Sequence, residues 1–194
     1  GGLTSVTLNT LGQIEGTGIS RNAYRLSTNG KVTIHQFNPV NDASIHSSDA
    51  TLLLPVSALG QQYRFIGWPT EFVSIQAGFL PATCTTDDDC GGDPFLCGDT
   101  GTCRILTIFT SKMSLIATGE DSTALTINAP VDVEIADSSG ASTIYPASQG
   151  FELNLTQGDV LTLSTTEVDE ADLSGMTVTS DKKVAVFSTN TCAM

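Results

Sequence analysis

Residues 84–103 read CTTDDDCGGDPFLCGDTGTC and hold four of the five cysteines of this 194-residue chain. Gly, Asp, Pro and Thr fill most of the spaces between Cys84, Cys90, Cys97 and Cys103, so the segment has too few apolar side chains to bury a core of its own. Such a segment needs covalent closure, and we predict two disulfides within it. The residues alone do not choose among the three pairings that four cysteines allow.

Zinc binding is the competing use of four clustered cysteines. Structural zinc sites favour Cys-x2-4-Cys spacing, whereas these cysteines are separated by five, six and five residues, and no histidine lies inside the segment. We therefore favour disulfides, which form and persist in oxidising compartments. The segment predicts an exported protein that is extracellular, periplasmic or at the surface of a cell or virion.

The same segment is rich in aspartate, which suggests a second property. Clustered carboxylates on a constrained loop are hard oxygen ligands that suit calcium, although the EF-hand pattern is absent. The alternative is an acidic loop that simply faces water. The candidate calcium ligands are Asp87, Asp88, Asp89, Asp93 and Asp99. The sequence indicates no other cofactor.

Composition limits the partners of the chain. A formal net charge of -13 repels polyanions, so nucleic acid is not an expected partner. No apolar run is long enough to span a membrane. The first residues lack the features of a signal peptide, so we expect that the signal was removed or lies outside this segment.

The sequence on both sides of the cysteines predicts strands. Three consecutive runs, 131–137, 151–158 and 159–165, alternate apolar and polar residues, which is typical of strands with one buried face. We predict an all-β, antiparallel, sandwich-like or jelly-roll-like domain formed by residues 1–83 and 104–194. Residues 84–103 are then an inserted Cys-rich loop between two adjacent strands.

Two hairpins are also predicted. Asn29-Gly30 lies between two alternating runs and is a strong signal for a type I′ turn, so residues 24–37 are expected to form a hairpin. Its inward set would be Tyr24, Leu26, Val32 and Ile34. The stretch 176–188 matches this hairpin at a constant offset, with Asp181-Lys182 at the turn, which suggests a weak internal repeat of two related units. Chance similarity is the alternative.

Another apolar run, in TLLLPVSALG, predicts a strand that is covered on both faces. It precedes Tyr63 and Trp68, which are candidate ligand contacts. Trp68 stands beside a Gly and a Pro at a predicted turn, where its ring is suited to stack on a sugar or an aromatic ligand. Packing at the rim of the sandwich is the alternative.

Catalysis is not expected from this sequence. It lacks the common nucleophile, metalloprotease and phosphate-loop motifs and has only two histidines, so its inventory of acid and base groups is small. Glu152 with Asp159, or Asp169 with Glu170 and Asp172, are carboxylates that could pair in a glycosidase. Runs of this kind are more often solvated loops, and we predict that the chain is not an enzyme.

Three blocks carry a family resemblance. AYRLSTNGKVTIHQFNP, SDATLLLPVSALGQQYRF and DLSGMTVTSDKKVAVFSTNTCA follow in order across most of residues 23–193 and resemble the IgGFc-binding-protein N-terminal domain family, with the Cys-rich segment as an inserted module. The resemblance implies a β-rich module of a large bacterial secreted or surface-exposed protein, with no enzymatic role. It does not imply immunoglobulin binding.

The fifth cysteine, Cys192, has no obvious partner in the segment. A partner outside the segment is the interpretation we favour, and an intermolecular disulfide or a buried thiol are the alternatives. Two functions fit the whole sequence. One is an extracellular binding or adhesion module whose partner is a protein or a glycan at a cell surface. The other is a structural subunit of a filament or surface assembly that pairs strand edges with copies of itself.

Overall fold

The computed structural model describes residues 2–8, 16–39, 48–76, 83–91, 95–98, 101–137, 139–166, 168 and 170–190. Within these ranges every strand pairing is antiparallel, and two short 3-10 helices occur at Val56–Ala58 and Asp87–Cys90. The strands are β1 Gly18–Ser20, β2 Ile34–Pro39, β3 Ser48–Leu53, β4 Gly60–Arg64, β5 Glu71–Gln76, β6 Phe95–Cys97, β7 Cys103–Phe109, β8 Ser111–Ala117, β9 Ser122–Asn128, β10 Val133–Ala136, β11 Ser142–Tyr145, β12 Phe151–Thr156, β13 Val160–Thr165 and β14 Thr177–Asn190. The predicted all-β class is therefore confirmed.

Nine strands form the main sheet, in the order β11-β10-β13-β8-β14-β9-β12, with β1 beside β13 and β4 beside β14. β8 and β9 bury every second residue. The predicted alternation is confirmed in β10 and β12, whereas β13 buries all six of its residues, so the prediction that one of its faces meets water is wrong. Apolar side chains from these strands and from β10, β12, β13 and β14 pack into one core. Burying each large side chain of this kind contributes roughly 1.5–3 kcal/mol, so this core is the main source of stability. The specific jelly-roll arrangement stays a prediction.

The long strand β14 joins the two halves of the main sheet and bends between them. It pairs with β9 up to Ser180 and with β8 from Val184 onward, while its register against β4 shifts between Thr179 and Val184. At the bend, Lys182 Nζ donates to two backbone carbonyls at 2.6 and 2.7 Å, and Ser180 Oγ donates to Lys182 O at 2.6 Å. Asp181 and Lys182, which were predicted to form a turn, therefore lie within one continuous strand. The predicted hairpin at 176–188 is wrong.

The predicted hairpin at residues 24–37 is also wrong. Residues 21–33 form no strand of the described sheets, and β2 pairs instead with β3, with Phe37 opposite Ala50. Three of the four side chains that were predicted to face inward, Tyr24, Leu26 and Val32, are exposed. A local Asn-Gly turn signal is weak when no further strand or packing face supports the hairpin. The suggested internal repeat of two hairpins is therefore absent.

β3 also differs from its prediction. The apolar run that begins at Thr51 was expected to be covered on both faces, but Leu52 and Leu54 are exposed. β2 and β3 form a separate two-stranded sheet, in which β3 has only β2 as a neighbour. An unbroken apolar run predicts burial only where other elements exist to cover it, and the described elements do not cover this one.

Candidate functional site

A two-stranded arm formed by β5 and β7 carries the Cys-rich segment. β5 pairs with β7 along its whole length, ending with Gln76 opposite Arg104. β6 pairs with the other side of β7, with Cys97 opposite Cys103. Because β7 is followed directly by β8 of the main sheet, the arm begins at the body of the domain. The cysteines therefore lie in the part of the chain that connects β5 with its partner strand β7. That residues 84–103 are an inserted module stays a prediction. We call the described residues 83–91, 95–98 and 101–103 the arm tip.

Three buried hydroxyl groups fix the arm where it leaves the main sheet. The hydroxyl oxygens of Thr70 and Thr165 lie 2.6 Å apart, and the backbone N–H of Ser111 donates to Thr70 Oγ1 at 3.1 Å. Ser111 Oγ accepts from Leu173 N–H at 3.4 Å. All three hydroxyl residues are buried. Buried polar groups that satisfy one another favour a single arrangement, so these bonds set the direction of the arm.

Two disulfides close the arm tip. Cys84 bonds to Cys97 and Cys90 bonds to Cys103, and the two cysteines of each pair are 13 positions apart in the sequence. The cysteines pack with the half-buried ring of Phe95 in a small core that is distinct from the core of the main sheet. In the chain-entropy model, closing a loop of this size stabilises the folded state by about 3 kcal/mol. The arm tip is thus held by covalent bonds where the main sheet is held by apolar burial.

The proximity of the sulfur atoms bears on the zinc alternative. The Sγ atoms of Cys84, Cys90 and Cys103 lie within 4.8 Å of one another, because the two disulfides are adjacent. Zinc binds thiolates, and a sulfur atom in a disulfide is not a thiolate. The structure therefore uses these cysteines as covalent links.

Asp89 organises the first turn of the arm tip. Its Oδ2 accepts from the backbone N–H and the hydroxyl of Thr85, both at 2.8 Å, and from the N–H of Thr86 at 2.9 Å. Thr86 completes a capping box with Asp89 at the start of the 3-10 helix. The hydrogen bonds from Thr85 and Thr86 favour the charged carboxylate and lower the pKa of Asp89 from 3.8 to about 2. Gly91 ends the helix with a φ of 104°, which favours glycine.

Two of the five candidate calcium ligands form hydrogen bonds within the loop. Asp87 Oδ1 accepts from the N–H of Cys97 at 2.7 Å, so Asp87 and Asp89 each direct one oxygen at the loop itself. Asp93 and Asp99 lie outside the described residues. Within the described ranges, no three carboxylates bring their oxygens close enough together to share an ion. A calcium site that includes Asp88 and its neighbours stays a prediction.

An open depression of about 410 Å³ lies beside the arm tip. It is lined by Thr83, Cys84, Thr85 and Asp89. Hydroxyls and a carboxylate in an open surface hollow suit hydrogen bonding to a protein or glycan surface, whereas small-molecule sites are usually enclosed and mainly apolar.

The two aromatic residues that were predicted to contact a ligand occupy different environments. Trp68 lies near the base of the arm, where the residue is 42% exposed and its Nε1–H donates to Glu71 Oε1 at 3.2 Å. The Tyr63 ring packs against the main core, and its hydroxyl accepts from Gly60 N–H at 2.8 Å and donates to Val184 O at 2.7 Å. The structure thus uses Tyr63 to hold β4 against β14, and Trp68 is the better placed of the two for a partner.

The candidate catalytic carboxylates serve local turns. Asp159 Oδ2 accepts from the N–H and the hydroxyl of Thr156, both at 2.7 Å, and Asp172 Oδ1 accepts from the N–H of Ser174 at 2.8 Å. Glu152 lies on the exposed face of β12, and Asp169 lies outside the described residues. These contacts support the interpretation of Asp159 and Asp172 as structural residues of surface loops.

Of two further features, one was missed in the sequence and the other was singled out from it. The hydroxyl junction of Thr70, Ser111 and Thr165 was not predicted, since no local pattern connects residues so far apart in the chain. Cys192 was singled out, but it lies outside the described residues, so its pairing stays a prediction.

An all-β fold with a disulfide-closed arm is typical of modules that function in oxidising compartments. Within the described part of the chain, no helix is long and apolar enough to cross a membrane. The chain belongs to the IgGFc binding protein family, whose model matches residues 49–194. The match excludes the first of the three blocks that suggested the resemblance. Neither the search of the curated proteins nor that of the solved structures found a match.

Proposed function

We propose that this chain is an extracellular, non-catalytic binding or adhesion module of a larger bacterial surface or secreted protein, and that the arm tip is its contact surface. The observation that carries the proposal is the arm tip itself, which has its own disulfide core and is carried on the paired strands β5 and β7. Binding groups in proteins are commonly found on loops that a rigid scaffold positions. The family match supports the coarser statement that the chain is a binding module.

The chemistry of the arm tip narrows the class of partner. Asp87, Asp88 and Asp89 are exposed, and the adjoining depression is polar. The aromatic ring of Trp68 lies near the base of the same arm. We infer a protein or glycan at a cell surface that presents hydrogen-bond donors or basic groups, because these complement carboxylates.

The test removes the arm tip and keeps the strands that carry it. Gln76 and Arg104 are paired, so an Asn-Gly turn can replace residues 77–103 as the connection of a two-residue hairpin. We expect the shortened protein to keep its circular dichroism spectrum and cooperative thermal unfolding, and to lose the surface attachment that the parent protein mediates.

A matched control shortens another surface turn by the same method. Ala136 and Ser142 are paired, so Asn-Gly can replace residues 137–141, and attachment should persist. Attachment that survives loss of the arm tip would refute the arm tip as the contact surface. Loss of folding in the first variant would show instead that the arm tip belongs to the architecture of the domain.

A second candidate function is a structural subunit that joins copies through strand edges. The observation in its favour is that β12 pairs only with β9 in the described structure, which leaves its other edge open. Open edges are templates for strand addition. Electron microscopy for filaments, and size-exclusion chromatography with and without reductant, separate this function from the first one.

A further inference from the structure

Exposed apolar side chains are concentrated in the first part of the described chain. The described residues include sixteen exposed large apolar side chains. Eleven of these lie between Leu3 and Val56, and only Ile144 and Val168 lie beyond residue 103. Exposed apolar surface commonly marks a site of interaction, so this part of the chain is a candidate for one.

Residues 21–33, which we call the donor segment, have the sequence of a strand without being one. Tyr24 and Leu26 alternate with Arg25 and Ser27, yet the segment joins none of the described sheets. Tyr24 is 53% exposed and Leu26 is 62% exposed. Alternation of this kind fits a strand that has one apolar face and one polar face. The donor segment is therefore suited to complete a sheet edge.

β12 provides such an edge. It pairs with β9 on one side, and no described strand pairs with its other side. Phe151 and Leu153 pack against the main core but stay half-buried, and the Phe151 ring stacks on Tyr145 with ring centroids 4.0 Å apart. Glu152 lies on the opposite, exposed face of the strand. One added strand would finish the burial of the apolar face and present its own polar face beside Glu152.

The charges of the two regions are complementary. Residues 16–39 contain three of the eight basic residues of the chain, Arg21, Arg25 and Lys31, and none of its 21 acidic residues. The rest of the chain therefore carries all the excess negative charge, and two copies would repel each other except where this basic stretch meets an acidic surface. Charge complementarity thus favours the body of another copy as the occupant.

We propose that the donor segment of one copy adds as a strand to the open edge of β12 in a second copy. Tyr24 and Leu26 then extend the apolar face formed by Phe151 and Leu153, and Arg25 lies beside Glu152. Cross-strand pairs of this kind stabilise a sheet directly. The inference rests on the second candidate function and is independent of the arm tip, so the variant without the arm tip should associate as the full chain does.

The test measures self-association of the full chain by sedimentation velocity over a range of concentrations. We expect Leu26→Asp to weaken association more than tenfold, because it places a charge on the apolar face. Arg25→Glu should weaken association roughly fivefold, since it places two like charges side by side. The double variant with Arg25→Glu and Glu152→Arg should recover most of that loss. Added salt should reduce the difference in association between the unmodified protein and Arg25→Glu, because it screens the charges of that pair.

Arg64→Glu is the matched control, because it changes the net charge by the same amount at an exposed site on β4. It should leave the dissociation constant nearly unchanged, and all variants should keep the melting temperature of the parent chain. A chain that stays monomeric at all concentrations would overturn the proposal. So would association that persists in Leu26→Asp, or a charge swap that fails to restore it. The proposal for the arm tip would stand in either case.

Discussion

The main sheet and the arm tip belong to one chain but are stabilised in different ways. The main sheet buries apolar side chains from six strands, and Leu115, Ile127 and Leu163 have no exposed surface. The arm tip buries three cysteines beside Phe95 and adds a carboxylate that caps a turn. A segment this polar cannot exclude enough water from apolar surface to fold by burial alone. Disulfides therefore stabilise the arm tip, where the sequence has too few apolar side chains to bury.

This difference implies that the two regions have separate stabilities. β5, β6 and β7 contact mainly one another and the 3-10 helix of the arm tip. Local opening of one cooperative unit without the other is expected where few contacts connect them. The connection is the hydroxyl junction at the base of the arm, which makes that junction the natural point at which to perturb the coupling.

The largest effect is expected in the main core. Leu163→Ala in β13 should lower the free energy of unfolding by about 2–5 kcal/mol, because it leaves a cavity in a packed core. Urea denaturation followed by circular dichroism measures the loss. Ile144→Ala, at an exposed position on β11, is the control and should change stability by less than about 0.5 kcal/mol. Equal effects at the two positions would mean that the core lies elsewhere.

The next effect should be confined to the arm tip. Replacing Cys90 and Cys103 together by Ser should destabilise the arm tip by about 3 kcal/mol, because a loop of this size is no longer closed. Hydrogen exchange should show faster exchange in the arm tip, while the main sheet keeps its protection. If the whole domain melted as early as Leu163→Ala, the two regions would be one cooperative unit.

A smaller effect is expected at the base of the arm. Thr70→Val keeps the shape of the side chain but removes the oxygen that accepts from Ser111 N–H and bonds to the Thr165 hydroxyl. Leaving buried polar groups unpaired costs about 1–3 kcal/mol. Thr70→Val combined with Thr165→Val should cost less than the sum of the single changes, which a double-mutant cycle measures. Strict additivity would argue against the coupling.

The smallest effect depends on pH. The pKa of Asp89 is lowered from 3.8 to about 2, so the stability that its carboxylate gives the arm tip is fully present above about pH 4. It should be lost as the pH falls from about 4 towards 2, since protonation weakens the bonds from Thr85 and Thr86. Hydrogen exchange of the arm tip in the native protein and in Asp89→Asn should differ near pH 6 and converge near pH 2. A difference that stayed constant across this range would assign the effect to something other than the charge.

Predictions that depend on residues close together in the sequence were more often correct than predictions that depend on distant partners. Alternation in residues 131–137 and 151–158 predicted the buried faces of β10 and β12, because a strand repeats its side-chain direction every two residues. The same pattern in residues 159–165 predicted one exposed face for β13, and that prediction is wrong because all six residues of β13 are buried. Residues 24–33 have the same periodicity, but none of the described strands pairs with them. Periodicity states which residues share a face and does not state what covers that face.

Three features were predictable from the sequence, because each depends on neighbours within a short stretch: the all-β class, the alternating faces of β10 and β12, and the covalent character of residues 84–103. Tertiary structure decided the rest. It chose which cysteines pair, it drew residues 176–188 into one bent strand, and it joined Thr70, Ser111 and Thr165 at the base of the arm. These outcomes depend on groups that are distant in the chain and become neighbours only when the sheet has formed.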